Sequence, residues 1–131
     1  MTAALVPELY VRDLQRSLDF YCGVLGFRIA YERPAERFAY LERGGAELML
    51  EEPVGRVWLA GPLEVPYGRG VNFQVTADDA AGLSAACSRA GAPILCALEE
   101  RTYLRDGEPV RVRQFVVQDP DGYLMRISEL L

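Results

Sequence analysis

Apart from three cysteines, the side chains here with acid–base or ion-pairing chemistry are carboxylates, tyrosines and arginines. The 131 residues contain no His, and all fourteen basic residues are Arg. The commonest general base, the commonest metal ligand and any Schiff-base lysine are therefore missing. Glu8 or Glu47 remains as a candidate base, with Tyr10 or Tyr40 as a candidate acid. Such a pair works only if burial raises the carboxyl pKa. Asn72 and Gln74 can hydrogen-bond a polar ligand from a defined direction. Tyr10, Phe38, Tyr40 and Phe115 can stack on a flat ring. Cys22, Cys87 and Cys96 have no metal-binding spacing and read as small buried apolar residues in a reducing compartment.

Composition narrows the classes. Half the residues are hydrophobic and a quarter charged, as expected of a soluble globular fold. The net charge of −5 argues against nucleic acid, which needs a basic face, while leaving room for a cationic small molecule. No signal peptide or membrane-spanning apolar run is visible, so no membrane partner is expected and the cytoplasm is the default location. No cofactor is implied.

The elements that must position these groups come in two similar sets. The clearest is the helix from Asp13 to Gly26, with Asp13 as N-cap, Leu14, Leu18, Tyr21 and Leu25 at helical spacing, and Gly26 as terminator. A strand over 5–12 precedes it, and strands over 27–34, 37–43 and 46–51 follow, giving β-α-β-β-β. Residues 53–68 carry three prolines, three glycines and Trp58 and read as a connection. The pattern then repeats: a strand over 70–77, and a helix capped by Asp78 or Asp79 that ends at Gly91. Strands over 93–100, 110–118 and 123–130 complete it. A charged loop over 102–109 and the turn Asp119-Pro120-Asp121-Gly122 connect them. The two helices have the same span. The expectation is one domain over 1–131, with modules 1–52 and 69–131 and a linker over 53–68. Its class is α+β: two βαβββ modules forming a curved mixed sheet with helices outside. Neither module is large enough to bury its helix face and sheet alone.

Strand alternation assigns the faces. Leu9, Val11, Ala39, Leu41, Leu48 and Leu50 suit the helix side of the first module. Val6, Glu8, Tyr10, Phe38, Tyr40, Glu47, Met49 and Glu51 then face a cavity. In the second module Asn72, Gln74, Leu124, Arg126 and Ser128 face in, with Phe73, Val75, Met125 and Ile127 as core. For 110–118 the chosen phase puts Arg113, Phe115 and Val117 inward. Arg126 is expected to pair with a neighbouring carboxylate. Trp58 either anchors its loop or forms a lid over a ligand, and ordinary packing remains open for each aromatic.

Two passages, VRDLQRSLDFYCGVLGF and QDPDGYLMRISE, resemble the vicinal oxygen chelate superfamily of glyoxalases, bleomycin-resistance proteins and extradiol dioxygenases. The resemblance covers nearly the whole chain and implies paired βαβββ modules, often in a homodimer with clefts at or near the subunit interface. It places the metal-ligand positions of the family's enzymes at Val6, Met49, Asn72 and Arg126. None is His or a carboxylate, so no metal is expected.

The function expected from this combination is non-catalytic. The chain would confer antibiotic resistance by sequestering a natural product in a cleft at a dimer interface. That ligand would be bleomycin-like, or a flat aromatic of quinone or enediyne type. The site residues are Glu8, Tyr10, Phe38, Tyr40, Glu47, Met49, Trp58, Asn72, Gln74, Arg113, Phe115 and Arg126. The alternatives are a metal-free or metal-dependent enzyme of the same superfamily and a regulatory module without a ligand.

Overall fold

The computed structural model describes residues 3–131; Met1 and Thr2, at the head of the first expected module, lie outside them. The first half contains β1 (Glu8–Tyr10), α1 (Leu14–Tyr21), β2 (Arg28–Arg33), β3 (Phe38–Arg43) and β4 (Ala46–Glu51). The second contains β5 (Asn72–Thr76), α2 (Ala80–Arg89), β6 (Ile94–Arg105), β7 (Glu108–Gln118) and β8 (Leu124–Leu130). The expected β-α-β-β-β order therefore occurs twice, in an α+β fold. The chain divides into two compact units between Tyr67 and Gly68. Each unit has its own four-stranded mixed sheet and one helix.

In the first unit the strand order is β1-β4-β3-β2, with β1 parallel to β4 and the other pairs antiparallel. The Asp13 carboxylate caps α1 by accepting from the Arg16 N–H at 3.3 Å. Glu52, just past β4, accepts from the Leu14 N–H at 2.8 Å and from Arg37 at 2.7 Å, which ties the start of the helix to the sheet. The helix stops at Tyr21 rather than running to Gly26. The backbone turns onward, with the Phe27 N–H donating to the Tyr21 carbonyl at 2.9 Å, and Gly26 supplies the left-handed residue at φ +80°. Leu14, Phe20, Tyr21 and Leu25 are buried, as are Leu41, Leu48 and Leu50 of the sheet.

The second unit repeats the plan in the order β5-β8-β7-β6, with β5 parallel to β8. Asp79 caps α2 through the Gly82 N–H at 2.9 Å. The Ala80 N–H donates to Glu129 Oε1 at 3.1 Å, which again ties the helix start to a strand. Before β8, Asp119 Oδ1 accepts from the Asp121 and Tyr123 N–H groups, both at 2.9 Å. This is the local hydrogen bonding that makes the Asp-Pro-Asp-Gly turn.

Two expectations fail in this unit. Residues 102–109 are not a loop: β6 runs to Arg105, β7 starts at Glu108, and only Asp106 and Gly107 turn, at φ +52° and +81°. Positive φ at both positions is the hairpin geometry that Asp-Gly favours. The phase of β7 is also reversed. Phe115 pairs with Ile127, Val117 with Met125 and Arg113 with Glu129, so all three share the face of the core residues. Phe115 and Val117 are wholly buried there. The run Val112 to Val117 lacks a clean apolar–polar alternation, so its phase is set by the partner strand rather than by its own pattern.

Candidate functional site

The register places the first unit's expected site residues together. On the sheet face opposite α1, one cross-strand row reads Tyr10, Glu51, Phe38 and Arg33, and the next reads Glu8, Met49, Tyr40 and Tyr31. Glu47 and Glu42 face each other beyond them. Tyr31 stacks on Tyr40 with ring centroids 4.9 Å apart, and it tilts against Phe38 at 6.0 Å. The Arg33 guanidinium sits 3.9 Å over the Phe38 ring and pairs with Glu36. The result is an aromatic sheet surface edged by a cation. Phe38, Tyr40 and Tyr10 are buried, whereas Tyr31, on the edge strand β2, is 49% exposed. Tyr31 and Arg33 are absent from the expected site. The Tyr31–Tyr40 alternation match is hidden by a bulge between Ile29 and Tyr31, which shifts the β2 register by one residue.

The electrostatics separate the carboxylates. The Tyr40 hydroxyl donates to Glu47, and this bond is the main cause holding the Glu47 carboxyl below its usual range. A lowered pKa makes Glu47 a weaker base. Glu51 shifts the other way. Burial raises it first, then the hydrogen bond and charge of Glu8, with Arg33 partly offsetting them.

Trp58 lies on the connection after β4 with 68% of its surface exposed. Its backbone N–H donates to the Tyr10 hydroxyl at 2.8 Å, and the Arg56 guanidinium lies 4.4 Å over its ring. The loop is thus anchored through its backbone, which leaves the indole outward.

In the second unit, Asn72, Gln74 and Arg126 lie on the face opposite α2, as alternation predicts. Arg113 and Phe115 do not. Arg113 faces α2, where it pairs with Glu100 at 3.1 Å and Glu129 at 3.7 Å, and Phe115 is core. The residues of β7 on the open face are Val112, Gln114 and Val116. A cavity of about 440 Å³ opens on this face, with Gln74, Thr76, Gln114, Arg126 and Ser128 at its polar end. Gln114 Nε2 donates to Glu99 at 2.9 Å and to the Tyr103 hydroxyl at 2.7 Å, which fixes the tyrosine at the wall. Arg126 has no carboxylate partner among the described residues, contrary to expectation, and its buried Nε has no acceptor. Thr76, Tyr103 and Gln114 also line the cavity: Thr76 continues the alternation of Asn72 and Gln74, Gln114 is hidden by the reversed phase of 110–118, and Tyr103 lies in the stretch that reads as a loop.

The donor chemistry at the family's metal positions is a hydrocarbon at Val6, a thioether at Met49, an amide at Asn72 and a guanidinium at Arg126. That set does not fit a divalent ion, least of all with a fixed cation among its members. Among the described residues no three His, Cys, Asp or Glu side chains gather to hold a metal. No helix among them is long and apolar enough to cross a membrane.

Comparison with solved structures finds this fold repeatedly. TioX from Micromonospora sp. ML1 is 25% identical, with a TM-score of 0.74 over 99% of this chain and 100% of that one. An integron cassette protein from the mobile metagenome of V. cholerae is 21% identical, with a TM-score of 0.71 over 98% and 95% of the two chains. Lactoylglutathione lyase from Agrobacterium tumefaciens is 20% identical, with a TM-score of 0.64 over 98% and 94%. At 21% and 20% identity the last two share the fold alone. No curated protein sequence matches. The family model of the Glyoxalase/Bleomycin resistance protein/Dioxygenase superfamily matches residues 3–127. With the duplicated βαβββ plan, that match means the chain belongs to this superfamily.

Proposed function

We propose that this protein sequesters an aromatic natural product without transforming it, and so protects a cell against that compound. The observation that carries the reading is the stacked Tyr31–Tyr40 pair continued by Phe38 on the first sheet's face opposite α1, with Tyr31 half exposed at its edge. Rigid rings lose little rotamer entropy on binding and suit a flat guest. The groups beside them are poor catalysts: Glu47 is a weakened base, Tyr40 is occupied by it, and the family's metal positions hold non-ligands. Glu8, Tyr10, Met49 and Trp58, all in the same unit, complete the proposed binding set. The acidic balance of the chain adds a preference for a cationic portion. One observation favours a metal-free enzyme instead, namely Glu51, whose raised carboxyl beside Glu8 could exchange a proton.

The working form in this proposal is a cytoplasmic homodimer. Edge strand β2 is exposed along its whole length and carries Ile29 and Tyr31, and β6 exposes Leu95, Leu98 and Leu104. Such edges favour pairing with a second copy, most often about a two-fold axis.

Native mass spectrometry against bleomycin, a planar quinone and an enediyne tests the reading. The expected result is a stoichiometric complex with one class and recovery of that ligand at unchanged mass. A transformed ligand with turnover, or no complex with any of the three, overturns it. Light scattering at micromolar concentration should give twice the chain mass.

A further inference from the structure

The open face of the second sheet carries a feature that an aromatic wall does not need. Arg126 lies in the middle of β8, between Gln74 on one side and Val116 on the other. Its Nε is fully buried and has no hydrogen-bond acceptor. A buried donor left unsatisfied is destabilising, and more so when the group is charged. The acid closest in register is Glu99, opposite Gln114 one row away, and its carboxylate already accepts from Gln114 at 2.9 Å. The neighbouring Ser128 hydroxyl is buried and the Thr76 hydroxyl lies beside it in register. These groups line one end of the 440 Å³ cavity, and Val110, Val112, Leu130, the Tyr103 ring and the exposed Arg105 line the other.

We propose that this cavity is a carboxylate-binding site in which Arg126 holds the anion side-on, through Nε and a terminal nitrogen. A guanidinium edge presents two parallel N–H groups, and a planar carboxylate matches them with two oxygens. Gln74, Thr76 and Ser128 supply further donors around the anion. The ligand's apolar body lies along Val112, Leu130 and Val110 toward Tyr103, whose ring is held in place by Gln114. From Val116, beside Arg126, to Val110 the strand runs about 20 Å, enough for a two-ring acid with its head on the arginine. The inference goes beyond the sequestration reading, because the cavity is lined by residues of the second unit alone.

Titration calorimetry with 2-naphthoate and its neutral isostere 2-naphthamide tests the site on the intact protein. The naphthoate should bind more tightly than the amide by about ten- to hundred-fold, the range of a charge-assisted hydrogen-bond pair. Arg126→Gln should abolish that preference, and Arg126→Lys, which keeps the charge but not the paired edge, should retain only part of it. Because the buried Arg126 Nε has no partner among the described residues, Arg126→Gln removes an unsatisfied donor and should keep or raise the ligand-free melting temperature. Equal affinity for acid and amide, no binding of naphthoate, or a melting temperature lowered by several degrees in Arg126→Gln overturns the proposal. The probe is not the natural product, so the two readings fail separately. A natural product bound equally well by Arg126→Gln removes the carboxylate from its recognition and leaves sequestration standing.

Discussion

The Trp58 N–H donates to the Tyr10 hydroxyl across 2.8 Å, joining a residue of the 53–67 connection to a buried side chain of β1. The bond runs from loop backbone to strand side chain, so it fixes the path of the connection without constraining the indole. Tyr10→Phe keeps the buried ring and removes the hydroxyl that accepts from Trp58. The expected result is faster hydrogen exchange at the Trp58 amide and a stability loss of about 1 kcal/mol, read by denaturant unfolding. Unchanged exchange at that amide would mean that the loop is held elsewhere.

The two stacked tyrosines should respond differently to truncation. Tyr31 is half exposed, so Tyr31→Ala is expected to fold normally and, as a central anchor, to weaken ligand binding by about 1–3 kcal/mol. Trp58→Ala should do the same if the indole covers the guest. Tyr40 is 6% exposed, and Tyr40→Ala opens a cavity, with an expected stability cost of about 3–5 kcal/mol. Calorimetry on the first two variants and thermal melts on the third separate anchor from core.

Glu51 gives a pH signature. Its folded pKa is raised above the ordinary value of 4.5, chiefly by burial and by Glu8. The folded protein therefore binds this proton more tightly than the unfolded chain does. The stability Glu51 contributes is complete below pH 4.5 and is lost as pH rises through the folded pKa. Glu51→Gln, which mimics the protonated form, should be more stable than the parent at pH 7 and lose that advantage as the pH falls toward 4. Parallel stability curves for the two proteins across this window would contradict the Glu8–Glu51 repulsion.

Cys87 is a wholly buried residue of α2, and burial pushes its thiol up to about 11. It should stay neutral and resist a thiol reagent at pH 8, where Cys22 and Cys96, both partly exposed, react first. Labelling followed by peptide mass spectrometry should show Cys87 modified only after denaturation.

The elements with strong local signals were legible in the sequence. Asp13 and Asp79 cap their helices, β4 spans 46–51 as read, and Asp119 builds its turn. The face of every strand with clean alternation was also legible, including Glu8, Tyr40, Met49, Gln74 and Arg126. What escaped depended on partners. The phase of Arg113 and Phe115 is decided by pairing with β8, and the place of Tyr31 by a bulge against β3. No local pattern records that Arg126 finds no acid, since nearby glutamates abound in the sequence and only the register shows them engaged.

The β6–β7 hairpin extends past β8, whose Leu130 pairs with Val112 near the end of the three-strand region. From Tyr103–Val110 to Arg105–Glu108 the two strands pair only with each other up to the Asp106-Gly107 turn. This ribbon acts as a ruler with fixed graduations. Adding or deleting one residue in each arm swaps every side chain beyond the change to the opposite face, so Tyr103 would leave the cavity. Changing two in each arm preserves the facing and moves the turn by about 7 Å. Related chains can therefore lengthen or shorten the wall beyond Arg126 in even steps, without touching the sheet that holds the arginine.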